Sequence, residues 1–134
     1  MTEEPKLDEE SAQGLARGIS EFNAGLFFEC HDTLEEVWHG TRGPARDFFQ
    51  GLIQVAVGFY HLGNSNATGG RSQFGKAMRN LDSYGREYLR VDLDSLRADV
   101  REWMRKVDAG EPLQRPIAEL PKIQRRDAEK SEEY

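Results

Sequence analysis

The sequence predicts an all-α fold: about five helices, with one central helix (about 45–64) surrounded by the others. Three observations carry this. Placed on a helix at about 100° per residue, the stretch from 47 to 64 is apolar around most of its circumference, through Phe48, Phe49, Leu52, Ile53, Val55, Ala56, Phe59, Tyr60 and Leu62. A helix with so wide an apolar surface is enclosed by neighbours, whereas a surface helix carries one stripe. The flanking segments do carry single stripes at helical spacing, between recognisable caps and stops. No strand-like alternation, internal repeat or low-complexity block interrupts them.

Residues 1–7, polar and containing a Pro, are expected to be disordered. From about Asp8 to Ala24, Leu15, Ile19 and Phe22 mark a first amphipathic helix, with Asn23 and Gly25 as stop signals. A second helix runs from about Phe27 to His39 and ends at Gly40. The turn from Thr41 to Pro44 follows, and Pro44 suits the first turn of the central helix. Ser65 to Gly70 is loop-like, with a helix start in its middle as the alternative. From about Arg71 to Tyr88, Phe74, Ala77, Met78, Leu81, Tyr84 and Tyr88 mark a fourth helix, which Gly75 and Gly85 weaken by up to ~1 kcal/mol each. Leu89 to Leu93 reads as a connector. Asp94 or Ser95 then caps a fifth helix carrying Leu96, Val100, Trp103, Met104 and Val107, which stops at Gly110. The Pro-rich segment 112–124 is expected to run extended, pinned by Leu113, Ile117, Leu120 and Ile123, and to close a single domain over 8–124. Residues 125–134 read as a charged, disordered tail. Gly51 and Gly58 share one flank of the central helix, where they let a neighbouring backbone approach closely.

At 134 residues the chain is one domain by length. Eighteen Lys and Arg against 24 Asp and Glu leave a formal charge of −6, with the basic residues dispersed among acids. Nucleic acid is therefore not an expected partner, since its binding needs a clustered basic surface. No stretch approaches the ~20 apolar residues of a membrane span, and no charged-then-apolar leader opens the chain. The single cysteine, Cys30, has no internal disulfide partner, which suits a reducing compartment. A cytoplasmic protein is expected.

Candidate site residues come from two places. On the central helix, Gln50, Gln54, His61 and Asn64 fall within roughly 80° of one another, with Val57 among them. Buried amides and imidazoles cost free energy unless partnered, so this seam must face polar groups, water or a ligand. On the second helix, Phe27, Leu34 and Trp38 set the expected apolar face. His31 and Glu35 project into it, while Glu29, Asp32 and Glu36 lie opposite. A carboxylate is rarely buried unless paired or bound. His31 and Glu35, at i and i+4, can share a hydrogen bond or an ion. The short turn between the two helices is expected to bring the seam opposite this pair.

The run His31-x-x-x-Glu35-Glu36-x-Trp38 resembles the signature of a bacterial and archaeal family of domains of unknown function, numbered 309. The stretch Phe49-Gln50-Gly51-Leu52-Ile53-Gln54, then Tyr60-His61 and Gly63-Asn64, is similar to the family's second motif. The Pro-rich close near Pro116-Ile117 is similar as well. Two separated motifs in this order, within a likeness from about Ile19 to Leu120, are more specific than either alone. The resemblance implies an all-helical domain with one helix surrounded by the rest. It implies a candidate metal-binding signature and attaches no activity.

Four readings compete. In the first, His31, Glu35 and His61 bind a divalent zinc, iron or manganese ion, with Gln50 and Gln54 behind them. In the second, a metal-free pocket holds a small polar ligand among Gln50, Gln54, Asn64 and Trp38, with Glu35 and His31 as candidate catalytic groups. No zincin motif, paired Glu-x-x-His motif, nucleophile with its base or phosphate-cradling Gly loop accompanies these residues, so enzymatic activity stays open. In the third, the polar groups form a satisfied network that only fixes packing register, and Trp38 is core. In the fourth, the domain is an interaction module, a homodimer joined through apolar residues of the fourth and fifth helices.

Overall fold

A computed structural model describes residues 4–126. These form five α-helices: α1 (Glu9–Asn23), α2 (Phe27–His39), α3 (Arg46–Gly63), α4 (Ala67–Leu81) and α5 (Leu93–Asp108). A 3-10 turn at Gly43–Ala45 leads into α3, and a second at Ile117–Glu119 interrupts the C-terminal segment. Between α4 and α5, the two-residue strands β1 (Glu87–Tyr88) and β2 (Val91–Asp92) pair antiparallel. No helix of the described residues is long and apolar enough to cross a membrane.

Helix α3 is the centre, as its composition requires. It packs against α2 on one side and α4 on the other, while α1 lies on α2 and α5 on α4. Phe59 shows how complete the enclosure is. Its ring meets Phe22 of α1 at 5.9 Å, Phe27 of α2 at 5.4 Å, Phe74 of α4 at 4.9 Å and Trp103 of α5 at 5.5 Å. Centroid separations in this range suit edge-to-face and offset aromatic packing. The two glycines of α3 set how closely α4 approaches. A Cβ on Gly51 would lie 2.6 Å from the Leu81 side chain, and one on Gly58 2.4 Å from the Phe74 ring.

The helix starts follow local chemistry. Asp8 accepts a hydrogen bond from Ser11 N at 2.7 Å, Asn66 from Gly69 N at 2.9 Å and Asp92 from Ser95 N at 3.0 Å. Each satisfies an N–H that the helix itself cannot. Two boundaries differ from the sequence expectation for this reason. Helix α4 starts at Ala67, ahead of the expected Arg71 and in the middle of 65–70 as the alternative there had it, because Asn66 caps it; α5 starts at Leu93, because the cap is Asp92 rather than Asp94 or Ser95.

Helix α4 also ends at Leu81 instead of continuing to Tyr88. The buried Arg97 of α5 explains the stop: its guanidinium donates to the carbonyls of Leu81 (2.8 Å), Tyr84 (3.0 Å) and Gly85 (2.8 Å), holding the chain in a turn. Tyr84 stays buried, its hydroxyl donating to Pro44 O and accepting from Phe48 N. The expected connector is a hairpin whose two central residues, Leu89 and Arg90, have φ of 48° and 64°. Asn-Gly normally marks such a turn, so the sequence carried no signal for it.

The C-terminal segment is held at both ends. Gln114 Nε2 donates to Leu62 O at 3.0 Å, and Ile123 is buried and bonded to Asn23. Ile117, expected to pin this segment, is instead exposed. Residues 124–126 continue along the hairpin, through Asp92 N to Gln124 O at 3.0 Å and Arg126 N to Arg90 O at 2.7 Å. The rest of the expected tail, 127–134, lies outside the described residues, as do residues 1–3 of the expected disordered start.

Candidate functional site

His31 and Glu35 do meet, but at the surface. His31 Nε2 lies 3.5 Å from Glu35 Oε2 and Nδ1 lies 3.2 Å from Asp32 Oδ1, with side-chain exposures of 24% for His31 and 43% for Glu35. The most buried line of α2 runs through Cys30, Leu34 and Val37, and the expected Phe27 and Trp38 pack against the core only partly buried. That rotation moves Cys30 into the core and carries His31 and Glu35 to the shoulder. Burial and the nearby Glu21 carboxylate push the Cys30 thiol up to about 12. Glu35 lines an open hollow of about 420 Å³ with Arg17, Asp32, Thr33, Glu36 and His39.

The seam on α3 faces α4, not α2. Gln54, buried, accepts a hydrogen bond from Asn80 Nδ2 of α4 at 2.7 Å. His61 Nδ1 lies 3.4 Å from Asn66 Nδ2, at the start of α4. Gln50 is half-buried and Asn64 is exposed. The reason is helical geometry: the seam adjoins the flank of Gly51 and Gly58, and that flank is where α4 nestles. Trp38 is covered by the Arg46 guanidinium at 3.9 Å from its ring centre, and Arg46 Nη1 donates to Trp38 O and Thr41 O. The proposed ligands His31, Glu35 and His61 therefore do not form one set. Among the described residues no three His, Cys, Asp or Glu side chains are grouped to hold a metal ion.

A different site stands out at the end of α3. A cavity of about 420 Å³ opens between the start of α2 (Leu26, Phe27, Phe28, Glu29), the end of α3 (Phe59, Tyr60, Leu62, Asn64), Trp103 of α5 and the C-terminal segment (Leu113, Gln114, Arg115, Leu120). Of the earlier candidates, only Asn64 belongs to it. Large apolar side chains exposed among the described residues are Leu26, Phe28, Tyr60 and Ile117. The first three line this groove, and Ile117 lies over Gly25, another of its lining residues. None is on α4 or α5. The Phe28 and Tyr60 rings pair at 5.5 Å, and His31 sits against Phe28 at 5.7 Å. Helical spacing counts Tyr60 among the apolar residues that enclose the central helix, so its exposure beside Phe28 carried no sequence signal.

Residues 15–73 match the family model described as a domain of unknown function, DUF309. These residues belong to the DUF309 family. Over 106 residues the chain is 31% identical to the uncharacterised protein YpuF of Bacillus subtilis (strain 168), covering 74% of this chain and 61% of that protein. Over 92 residues it is 24% identical to an uncharacterised protein of Aquifex aeolicus (strain VF5), covering 68% of this chain and 28% of that one. The chain thus spans less than two thirds of each relative's length. The DUF309 segment contains α2, α3 and their aromatic residues, including His31, Glu35, Glu36 and Trp38. Trp103 and the C-terminal wall of the groove lie beyond it. The groove is therefore built jointly by the DUF309 segment and the chain that follows.

Proposed function

We propose that this DUF309 protein is a binding module that takes a small, largely apolar molecule in the groove between α2, α3, α5 and the C-terminal segment. One observation carries the reading: exposed Leu26, Phe28 and Tyr60 converge on one concave site backed by Phe27, Phe59 and Trp103. Ligand sites are typically concave, mainly apolar and roughly 300–1,000 Å³, with a few polar groups to orient the ligand. Grouped exposed apolar side chains mark interaction surfaces, whereas scattered ones carry no message. Among the described residues no His, Cys, Asp or Glu group that could hold a metal ion accompanies the groove. A metal ion at His31, Glu35 and His61 has no comparable support.

The test compares wild type with the double variant Phe28→Ser/Tyr60→Ser in a fragment screen read by thermal shift and ligand-observed NMR. Both side chains are substantially exposed, so the double variant should keep its Tm within about 2 °C. Apolar fragments should stabilise the wild type and leave the variant unmoved. An equal response from both proteins would refute the assignment.

The Phe28–Tyr60 pair also supports a second reading, a homodimer in which two copies cover this face of one another. Sedimentation at increasing concentration distinguishes it, because a monomer mass throughout removes it. For location, the buried free thiol of Cys30 supports the cytoplasm.

A further inference from the structure

The polar groups of the groove specify what kind of molecule enters it, an inference that rests on the groove being the binding site. We propose that the ligand is an amphipathic monocarboxylate, its carboxylate held by Arg115 and its aromatic or aliphatic body lying among Phe27, Tyr60 and Trp103.

Arg115 is held in position but left incomplete. Its Nη1 donates to two carbonyls of its own segment, Pro112 O at 2.7 Å and Gln114 O at 3.1 Å, and the guanidinium carbon sits 5.8 Å from the Trp103 ring centre. These contacts leave Nε and Nη2, the side of the guanidinium that matches a carboxylate with two parallel hydrogen bonds. Among the described residues no acceptor takes them. Arg71 shows the same edge filled, with Nε and Nη2 donating to the two Asp108 oxygens at 3.0 and 3.2 Å. Lys106, the other cation near Trp103, is already neutralised by Glu102 and Glu111, each at 3.7 Å.

The walls limit the rest of the ligand. Phe27, Phe59, Leu62, Trp103, Leu113 and Leu120 offer no charge, so the body must be apolar. Glu29 is the one acid among the lining residues, and it makes no ion pair with Arg115. It disfavours a second anionic group. One carboxylate on a hydrocarbon body satisfies both conditions.

The experiment uses a matched pair of probes, 4-phenylbutyrate and its neutral amide, titrated by calorimetry and by protein-observed NMR into wild type, Arg115→Gln and Arg115→Lys. The acid should bind wild type about tenfold or more tightly than the amide, the ratio expected for a charge-assisted bidentate contact. Arg115→Gln should abolish that preference while leaving the amide's affinity unchanged. Arg115→Lys, which keeps the charge but not the fork, should restore only part of it. Equal binding of acid and amide to wild type overturns the carboxylate and leaves the groove standing. A preference for the acid that survives in Arg115→Gln also overturns it, because the anion must then be held elsewhere. If neither probe shifts resonances of the groove, the groove reading fails and this inference with it.

Discussion

Asn23 of α1 and Ile123 of the C-terminal segment, 100 residues apart, form a reciprocal pair: Asn23 Nδ2 donates to Ile123 O at 3.1 Å, and Ile123 N donates to Asn23 Oδ1 at 2.7 Å. The side-chain amide substitutes for a neighbouring strand, satisfying both backbone groups of a buried residue. It fixes the far end of the segment whose nearer part walls the groove. Asn23→Ala leaves two backbone groups unpaired and should destabilise the protein by about 1–3 kcal/mol. Hydrogen exchange should accelerate most over 113–124, and Asn23→Asp, which can only accept, should fall between. Uniform acceleration across all helices would argue against a local tether.

Two glycine substitutions should move stability in opposite directions. Gly58→Ala places a methyl 2.4 Å from the Phe74 ring, so α4 must shift outward. Overpacking of this kind costs about 1–3 kcal/mol, more than the up to ~1 kcal/mol of helix propensity gained. Gly75 also lies within a helix, but a Cβ there meets nothing nearer than Arg79 Nη1 at 3.8 Å. Gly75→Ala should therefore raise stability, by up to ~1 kcal/mol. Chemical denaturation of both variants decides this.

Acid stability should carry two signatures of α5. The Ser95 backbone N–H holds the Asp92 carboxyl below its ordinary value. A depressed folded-state pKa means that the cap stabilises above pH ~4 and is lost as pH falls through the lower folded value. Asp92→Ala should cost about 1 kcal/mol at neutral pH, and that cost should vanish in strong acid. Asp99 behaves oppositely, because burial, and secondarily the Asp92 charge, push its carboxyl up. Its ionised form destabilises, so Asp99→Asn should raise Tm at neutral pH. The gain should disappear as pH falls through the raised pKa. Melting curves between pH 2 and 7 test both signs.

The His31–Glu35 pair is a poor candidate for stored catalytic strain. With Glu35 substantially exposed, Glu35→Gln should change stability by less than about 1 kcal/mol, as surface pairs usually do. A rise in Tm well beyond this would restore the view of Glu35 as a functional group held at a cost.

The central helix was legible because its apolar surface is nearly complete, and α1, α2 and α3 lie close to where the spacing and stops place them. The C-terminal half was less legible. Its boundaries depend on Arg97 reaching back 16 residues to Leu81 O, and on a hairpin turn formed by Leu89 and Arg90 rather than glycine. The residues at the expected site were individually conspicuous, yet helical spacing fixes only which residues share a face. It does not fix the rotation of α2, which placed His31 at the edge, or which neighbour takes the seam, where Gly51 and Gly58 admitted α4. The groove was invisible because Trp103 of α5 and Arg115 of the C-terminal segment meet the ends of α2 and α3 only in the tertiary structure.

The most direct test of the groove as the functional site is a protein-observed NMR titration with a neutral apolar probe, 4-phenylbutyramide. Saturable shifts concentrated at Leu26–Glu29, Phe59–Asn64, the Trp103 indole and Leu113–Arg115 are predicted. Shifts centred on His31, Thr33, Glu35 and Glu36, or none that saturate, would contradict it.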